Sequence, residues 1–328
     1  MNDQFELVRE KLGPRAVLDE PLAKHTLLRV GGPAKIFYQA ESSKDLIKAV
    51  ITAWEQKLSF LVLGIGANVL ISDSGFDGLA IKNKTSRISI VGKKGRIKAG
   101  RRVDEEVLVG ADSGATLVQL CRFTFDEGLA GLEFLYPIPG TVGGAIKINA
   151  HGRPADNEFI SNLVQEVTLL TPAGEVKKVD QKYLDFFYDH TKLVGSGEVV
   201  LSVVFRLRLA NKEKVWKKAL EYSDSRRRSQ PYEFPSAGCF FQNISKSEAA
   251  RFGLANQIYS TGILITQAGL AGTQIGGAKI SEKHANFFLN VGGAKSGDFI
   301  QLINLAKAKV KEKFGVNLKE EVFLIGEF

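Results

Sequence analysis

Four segments of this sequence bring together residue types that can do chemistry. The first is GIGAN, comprising Gly64, Ile65, Gly66, Ala67 and Asn68, at the end of the apolar run LSFLVL. A strand ending in a glycine loop exposes backbone N–H groups, which can hold phosphate. It is no dinucleotide-binding fingerprint, because the third glycine would fall at Val69, and no Walker lysine follows. Taken alone, the loop is equally compatible with a plain tight turn. The second segment, residues 131–152, packs five glycines and two prolines among apolar residues. Gly140, Gly143 and Gly144 leave backbone amides unshielded by side chains, so this stretch can lie against a flat cofactor and its pyrophosphate. The third, PSAGCFFQN (residues 235–243), presents Cys239 from a Pro-Ser-Ala-Gly turn. A lone cysteine is more often an inert buried hydrophobe than a reactant. The fourth is Glu320-Glu321, ahead of the apolar run VFLIG. Adjacent strand residues point to opposite faces, so one carboxylate can face a site while the other faces water.

Alternating strands and helices must position these segments. Residues 35–40 read as a strand and 43–57 as an amphipathic helix, with Leu46, Ile47, Val50 and Ile51 on one face. A strand at 58–63 runs into Gly64, and short β segments follow at 78–82, 87–91 and 95–99. Residues 104–128 read as a helical stretch broken near Gly114. A second strand-rich region covers 163–208. It holds a hairpin turning at Pro172-Ala173-Gly174 and a strong strand at 198–208. A charged amphipathic helix at 211–228 marks a boundary near 210. A glycine-rich middle (262–277), a helix at 297–314 and a terminal strand at 320–325 complete the chain. The order is mixed α/β and then α+β, without regular βαβ units.

Bulk properties narrow the function classes. A chain of 328 residues with 44% hydrophobic and 24% charged residues is an ordinary globular protein of several packed units. The formal charge of +8 favours anionic partners without choosing among them, and Arg226-Arg227-Arg228 is the longest basic run. Cys121 and Cys239 are the only cysteines, so no disulfide framework or CxxC site is expected and the chain reads as cytoplasmic. The polar start MNDQFELVRE does not read as a signal peptide, and no apolar stretch approaches the roughly 20 residues of a membrane helix. The four histidines are far apart and match no metal-ligand spacing, so no metal site is expected.

Taken together and in this order, the segments resemble the UDP-N-acetylenolpyruvoylglucosamine reductase family over about residues 20–326. HTLLRVGGPA (25–34) resembles the family's T-x-x-R-x-G-G-x-A opening. GIGANVLISDSGFDG (64–78) resembles its GGGSN loop with D-x-G-F-x-G. IPGTVGGA (138–145) with Asn149 is the most specific match. IGGAKISEKHANFFLN (275–290) and LKEEVFLIGE (318–327) complete the series, and the shorter, second type of the family is the better fit. The resemblance implies an FAD-binding fold of the vanillyl-alcohol-oxidase type with a separate C-terminal α+β substrate domain. It divides the chain into FAD-binding subdomains at 1–88 and 89–210, a substrate-binding domain at 211–315, and a terminal strand at 316–328 returning to the flavin site.

The resemblance also implies the chemistry. NADPH reduces FAD, hydride passes to the enolpyruvyl β-carbon of a UDP-sugar, and a side-chain acid protonates the α-carbon. Cofactor-binding positions would be Gly64, Ile65, Gly66, Ala67, Asn68, Ile138, Pro139, Gly140, Thr141, Gly143, Gly144 and Asn149. The proton donor, a serine in the family's GSFFKNP, becomes Cys239 in GCFFQN. A thiol with a reference pKa near 8.5 is mostly protonated at neutral pH and is a stronger acid than a hydroxyl. Glu321 matches the catalytic glutamate, and Arg226, Asn243 and His284 are substrate-binding candidates. The family's Y-R-x-S/T motif reads Tyr188-Asp189-His190-Thr191 here, so Asp189 stands where an arginine stabilises developing negative charge. His190 and Lys192 are the nearby replacements the sequence offers. Gln242 and Ala271 replace lysines, Ile65 and Ala67 replace Gly and Ser, and NAHGRP departs from NAGA-x-G. Ile65 cannot readily take φ > 0, so a reshaped loop is expected. A monomer is expected, with no nucleic-acid or membrane partner. Two other readings stay open: a diverged flavoprotein of the same fold acting on another anionic substrate or with weak activity, and a non-enzymatic anion or nucleic-acid binder.

Overall fold

Strands with apolar residues at every second position build the largest sheet. The computed structural model describes residues 2–98, 101–153, 156–252, 254 and 260–328. It places Ile88–Lys98, Arg101–Asp112, Val199–Leu209, Val164–Leu170 and Val176–Val179 side by side in that order, every pairing antiparallel. The expected hairpin is present, with Gly174 in a left-handed conformation at its turn (φ 79°). The expected helix over 104–128 is corrected. Its first half is strand Arg101–Asp112, and only Leu117–Asp126 is helical. Val107, Val109 and Ala111 are buried on one face and sit opposite Leu207, Phe205 and Val203. That period of two, satisfied by a partner about 95 residues away, prevails over local helix propensity. The two segments expected at 87–91 and 95–99 are one bulged strand, Ile88–Lys98, and residue 99 lies outside the described residues.

A second sheet has the order Ala16–Pro21, Pro33–Ala40, Phe76–Asn83, Phe60–Leu63, and its last pair is parallel. Helix Ser43–Glu55 is fixed at its start by Ser42, which forms a capping box with Asp45. A third, antiparallel sheet runs Ser236–Cys239, Phe287–Asn290, Ala278–Ile280, Gln274–Ile275. A two-stranded parallel ladder joins Phe323–Ile325 to Val69–Ile71. The terminal strand is therefore shorter than the expected 320–325, and Glu320 instead forms an isolated bridge with Phe241.

The chain divides into two compact units, each with its own core. The first comprises residues 1–17, 37–65 and 79–226. Its core packs the large sheet against helix Leu117–Asp126 and includes Leu120, Phe125, Ile146, Val203 and Phe205. The second comprises residues 18–36, 66–78 and 227–328. Its core gathers Phe240, Phe288 and one face of helix Ser296–Phe314, namely Phe299, Leu302, Ile303, Ala306 and Val310. Phe240 stacks on Phe288 with ring centroids 4.5 Å apart. No helix among the described residues is long and apolar enough to cross a membrane. No group of three or more potential metal ligands occurs among them.

Candidate active site

In the first unit, strand Phe60–Leu63 delivers the chain to Gly64. A Cβ there would lie 2.4 Å from Thr141 Oγ1, so only glycine allows this approach. Thr141 belongs to the Ile138–Ala145 stretch, which is pinned from beneath. The Val142 amide donates to Ala115 O (2.9 Å), and the Gly143 amide to Ser113 O (2.7 Å). Ser113 in turn accepts from Asn83 Nδ2 (2.8 Å), and Asn83 Oδ1 accepts from the Thr85 hydroxyl (2.9 Å). A Cβ on Gly114 would come within 2.6 Å of Asn83 Oδ1 and Thr85 O. Residues 83–85 and 113–116 are thus the base on which the glycine segment rests. Above that base, Pro139 and Gly144 are exposed, while Ile138 and Gly140 are half-buried. Such a firmly held, side-chain-poor backbone fits the face and pyrophosphate of a flat cofactor.

Three hydrogen bonds latch residues 187–191 to residues 147–151. Asn149 Nδ2 donates to Phe187 O (2.9 Å), and the Thr191 hydroxyl donates to Lys147 O (2.8 Å). His151 Nε2 lies 3.0 Å from Asp189 Oδ1. Asp189, in a left-handed conformation (φ 51°), is buried, with its side chain 4% exposed. His190 and Lys192, the replacements the sequence offered for the missing arginine, are both exposed. The Lys192 ammonium sits 3.9 Å over the Tyr183 ring. Arg226 is half-buried on helix Lys212–Ser229, whereas Arg227 and Arg228 are exposed. Lys82 stands opposite Leu63, one residue before Gly64, and burial first, then Lys84, lowers its pKa to about 8.

Within the second unit, Gly66 takes the left-handed conformation (φ 68°), with its α-carbon against His25 O and Thr26. Ile65 itself is not among the residues with positive φ, so isoleucine at this position demands no left-handed conformation. Asn68 Nδ2 donates to Glu321 O (3.2 Å), and Phe323–Ile325 runs parallel to the strand after this loop. Cys239 ends strand Ser236–Cys239 opposite Phe287, half-buried, just after Gly238 (φ 82°). The Glu321 amide donates to O of Phe240, the neighbour of Cys239 (2.9 Å). This bond sets the thiol strand beside the carboxylate segment. Glu320 is ion-paired with Lys307. Asn243 Oδ1 accepts from the Thr261 amide (3.0 Å), and the Gln242 amide donates to Lys319 O (2.9 Å). His284 packs edge-on against Phe287 (4.9 Å) at a turn where its amide donates to Ser281 Oγ (3.3 Å). Ala271 is half-buried.

The structure thus brings Asn68, Cys239 and Glu321 into one neighbourhood linked by backbone and side-chain hydrogen bonds, and Gly64, Thr141 and Gly143 into close contact in another, while the Asn149 side chain bonds to Phe187 O and the Ser161 amide. Some supporting residues escaped the sequence reading. A Cβ on Gly32 would meet Asp73 O at 2.1 Å, one on Gly75 would meet Pro33 O at 1.9 Å, and one on Gly326 would meet Gly75 O at 2.3 Å. These glycines interlock the opening motif, the D-x-G-F-x-G segment and the chain's end. The signal for them was present in the repeated glycines. The roles of Asn83, Ser113 and His151 were not legible, because each depends on a distant partner.

Residues 34–180 match the model of an FAD binding domain. With the cradle just described, this defines the chain as an FAD-dependent oxidoreductase, in the fold class expected from its sequence. Residues 230–325 match the C-terminal domain of UDP-N-acetylenolpyruvoylglucosamine reductase. The reductase of Geotalea uraniireducens is 38% identical over 310 residues, covering 94% of this chain and 93% of its own. Reductase 1 of Bacillus anthracis is 34% identical over 325 residues, 98% of each chain. The crystal structure of the Thermus caldophilus reductase (MurB) superposes with a TM-score of 0.74 at 27% identity, covering 95% of this chain and 98% of the other. The chain belongs to the UDP-N-acetylenolpyruvoylglucosamine reductase family.

Proposed function

We propose that this enzyme reduces UDP-N-acetylenolpyruvoylglucosamine to the lactyl ether UDP-N-acetylmuramate, with NADPH as reductant, in peptidoglycan precursor synthesis. Family membership over nearly the whole chain carries this reading. FAD, when bound, supplies the two-electron exchange between NADPH and the substrate. Gly64 to Asn68, Ile138 to Thr141, Gly143, Gly144 and Asn149 would hold it. The tight packing at Gly64 and Gly66, where a Cβ would meet Thr141 Oγ1 at 2.4 Å and His25 O at 2.5 Å, supports this assignment.

Reduction at the enolpyruvyl β-carbon leaves negative charge on the α-carbon and its carboxylate. Cys239 gives its thiol proton to the α-carbon, forming a C–H bond and a thiolate that solvent reprotonates. Glu321, in its protonated form, lies against that developing charge and stabilises it as a hydrogen-bond donor. The backbone bond from Glu321 to Phe240 supports this pairing of roles. Arg226, Asn243 and His284 hold the phosphate and sugar groups. The half-buried position of Arg226 beside exposed Arg227 and Arg228 supports its choice from the basic run. Residues 1–88 and 89–210 serve FAD, 211–315 the substrate, and 316–328 returns to the flavin loop through its parallel ladder with Val69–Ile71.

Anaerobic half-reactions test the proposal. NADPH should bleach the bound flavin, and UDP-N-acetylenolpyruvoylglucosamine should restore its colour with formation of one lactyl product per flavin. Bleaching without reoxidation by this substrate would reject it in favour of another anionic substrate.

A further inference from the structure

Strand alternation leaves charged side chains on the outer face of the large sheet. Phe205 and Leu207 are buried in the core, so Arg206 and Arg208 project from the opposite face. There they line a cavity of about 640 Å³, a volume in the range of small-molecule sites. Residues 130–134 and 157–163 and helix Lys212–Ser229 contribute the remaining walls, all within the first unit. Both arginines are exposed, and neither forms a hydrogen bond or ion pair among the described residues. Glu106 faces Arg208 directly across the ladder, where Cβ atoms lie about 5 Å apart, yet the two form no ion pair. Glu133 is only 5% exposed and still lines the cavity. The Gly131 amide donates to its Oε2 (2.7 Å), while Oε1 has no hydrogen-bond partner among the described residues. A carboxylate so nearly buried calls for a further donor. Glu158 is already engaged, because the Tyr222 hydroxyl and the Arg153 amide donate to its two oxygens. Phe134, Phe159 and Leu163 add apolar surface to the lining.

Open cationic and acidic groups are therefore interleaved at short range beside apolar side chains. A ligand of a single sign meets repulsion from half of those charges. A ligand with an ammonium and a carboxylate on one carbon meets a complement for each, and guanidinium groups match a carboxylate in two-point geometry. We infer that this cavity binds a free α-amino acid with a large apolar side chain. Its carboxylate lies on Arg206 and Arg208, its ammonium on Glu133 and Glu106, and its side chain against Phe134, Phe159 and Leu163. The site is separate from the glycine cradle. Leu201 O accepts from the Ser113 amide at the base of that cradle. Arg208 lies further along the same strand, roughly 20 Å away. The inference stands apart from the substrate assignment above and requires nothing of the flavin.

Calorimetric titration of the full-length, FAD-loaded enzyme with L-phenylalanine tests this. One equivalent should bind. 3-Phenylpropionate, which lacks the ammonium, and 2-phenylethylamine, which lacks the carboxylate, should each bind about tenfold more weakly or worse. Glycine, which leaves the apolar groups uncovered, should also bind more weakly. Arg206→Gln and Glu133→Gln should each weaken L-phenylalanine binding by about tenfold or more, with flavin content and flavin reduction by NADPH unchanged. Glu133→Gln keeps an acceptor for the Gly131 amide, and Arg206 is an exposed side chain, so Arg206→Gln reads binding even where Glu133→Gln lowers Tm. No binding of L-phenylalanine to wild type at about 10 mM overturns the inference. Equal binding of 3-phenylpropionate, or tighter binding of AMP, makes the cavity a plain anion site and overturns it as well. Binding that persists unchanged in both variants places the ligand elsewhere and has the same consequence.

Discussion

The side-chain amide of Asn68 donates to the backbone carbonyl of Glu321 over 3.2 Å, although 253 residues separate them. One bond joins the glycine loop near the start of the chain to the carboxylate segment at its end. The same segment is fixed to the strand of Cys239 through the Glu321 amide and Phe240 O. Both bonds engage the backbone of Glu321, and the second that of Phe240, so substitutions of the Cys239 or Glu321 side chains leave them intact.

Cys239→Ala should therefore reduce its flavin with NADPH at the wild-type rate and lose roughly 10²–10⁴-fold in the substrate half-reaction, as expected for removal of a general acid. Cys239→Ser should recover part of that loss, read by stopped-flow flavin absorbance. Equal turnover by Cys239→Ala and wild type would reject the donor role.

Glu321→Gln and Glu320→Gln should part company. Glu320 pairs with Lys307 at a half-exposed site, and such pairs contribute about 0–1 kcal/mol, so its loss should move Tm slightly and kcat hardly at all. Glu321→Gln should lower kcat with little change in Tm. The opposite pattern in steady-state assays would exchange the two assignments.

Gly64→Ala should purify with sharply reduced flavin content, because its methyl carbon would lie 2.4 Å from Thr141 Oγ1 and force that side chain to shift. Gly144→Ala should keep its flavin more nearly intact, since the nearest atom to a Cβ there is 3.5 Å away. The ratio of visible flavin absorbance to protein absorbance compares them directly.

The two cysteines should titrate in separate steps with a thiol reagent. Cys121 is fully buried beside Leu132 O, and burial followed by Glu133 pushes its thiol pKa up. Cys239 is half-buried. One thiol should react in the folded protein and the second only on unfolding. Two fast equivalents in the folded state would contradict the burial of Cys121.

Lys82 gives a pH signature with a definite sign. Its folded pKa of about 8 lies below the ordinary lysine value, so between about 8 and 10.5 the unfolded chain binds more protons than the native one. Its contribution to stability therefore rises with pH across that window, and below it the penalty of charging a half-buried ammonium is fully felt. Lys82→Met should lack this rise, so the difference between the wild-type and variant stability profiles should change across that window. Parallel profiles would show that Lys82 titrates normally.

The strands and helices most legible in the sequence were those with a strong period and clear ends: Pro33–Ala40, Ser43–Glu55, Val199–Leu209 and Ser296–Phe314. Arg101–Asp112 was misread because its charged first half has local helix propensity, and its strand identity comes from pairing with Val199–Leu209. The glycine segments of the candidate site were legible because a dense run of glycines has few other physical uses.

By itself, the sequence determined which backbone segments must be bare, since glycine is chosen where no Cβ fits, and it determined the family through the order of those segments. Only the tertiary structure decided who stands beside whom. It tied Glu321 to Asn68 and to the neighbour of Cys239, and it paired His151 with Asp189, 38 residues away. Such partners are set by three-dimensional packing and by the need to satisfy buried polar groups, neither of which leaves a local pattern in the chain.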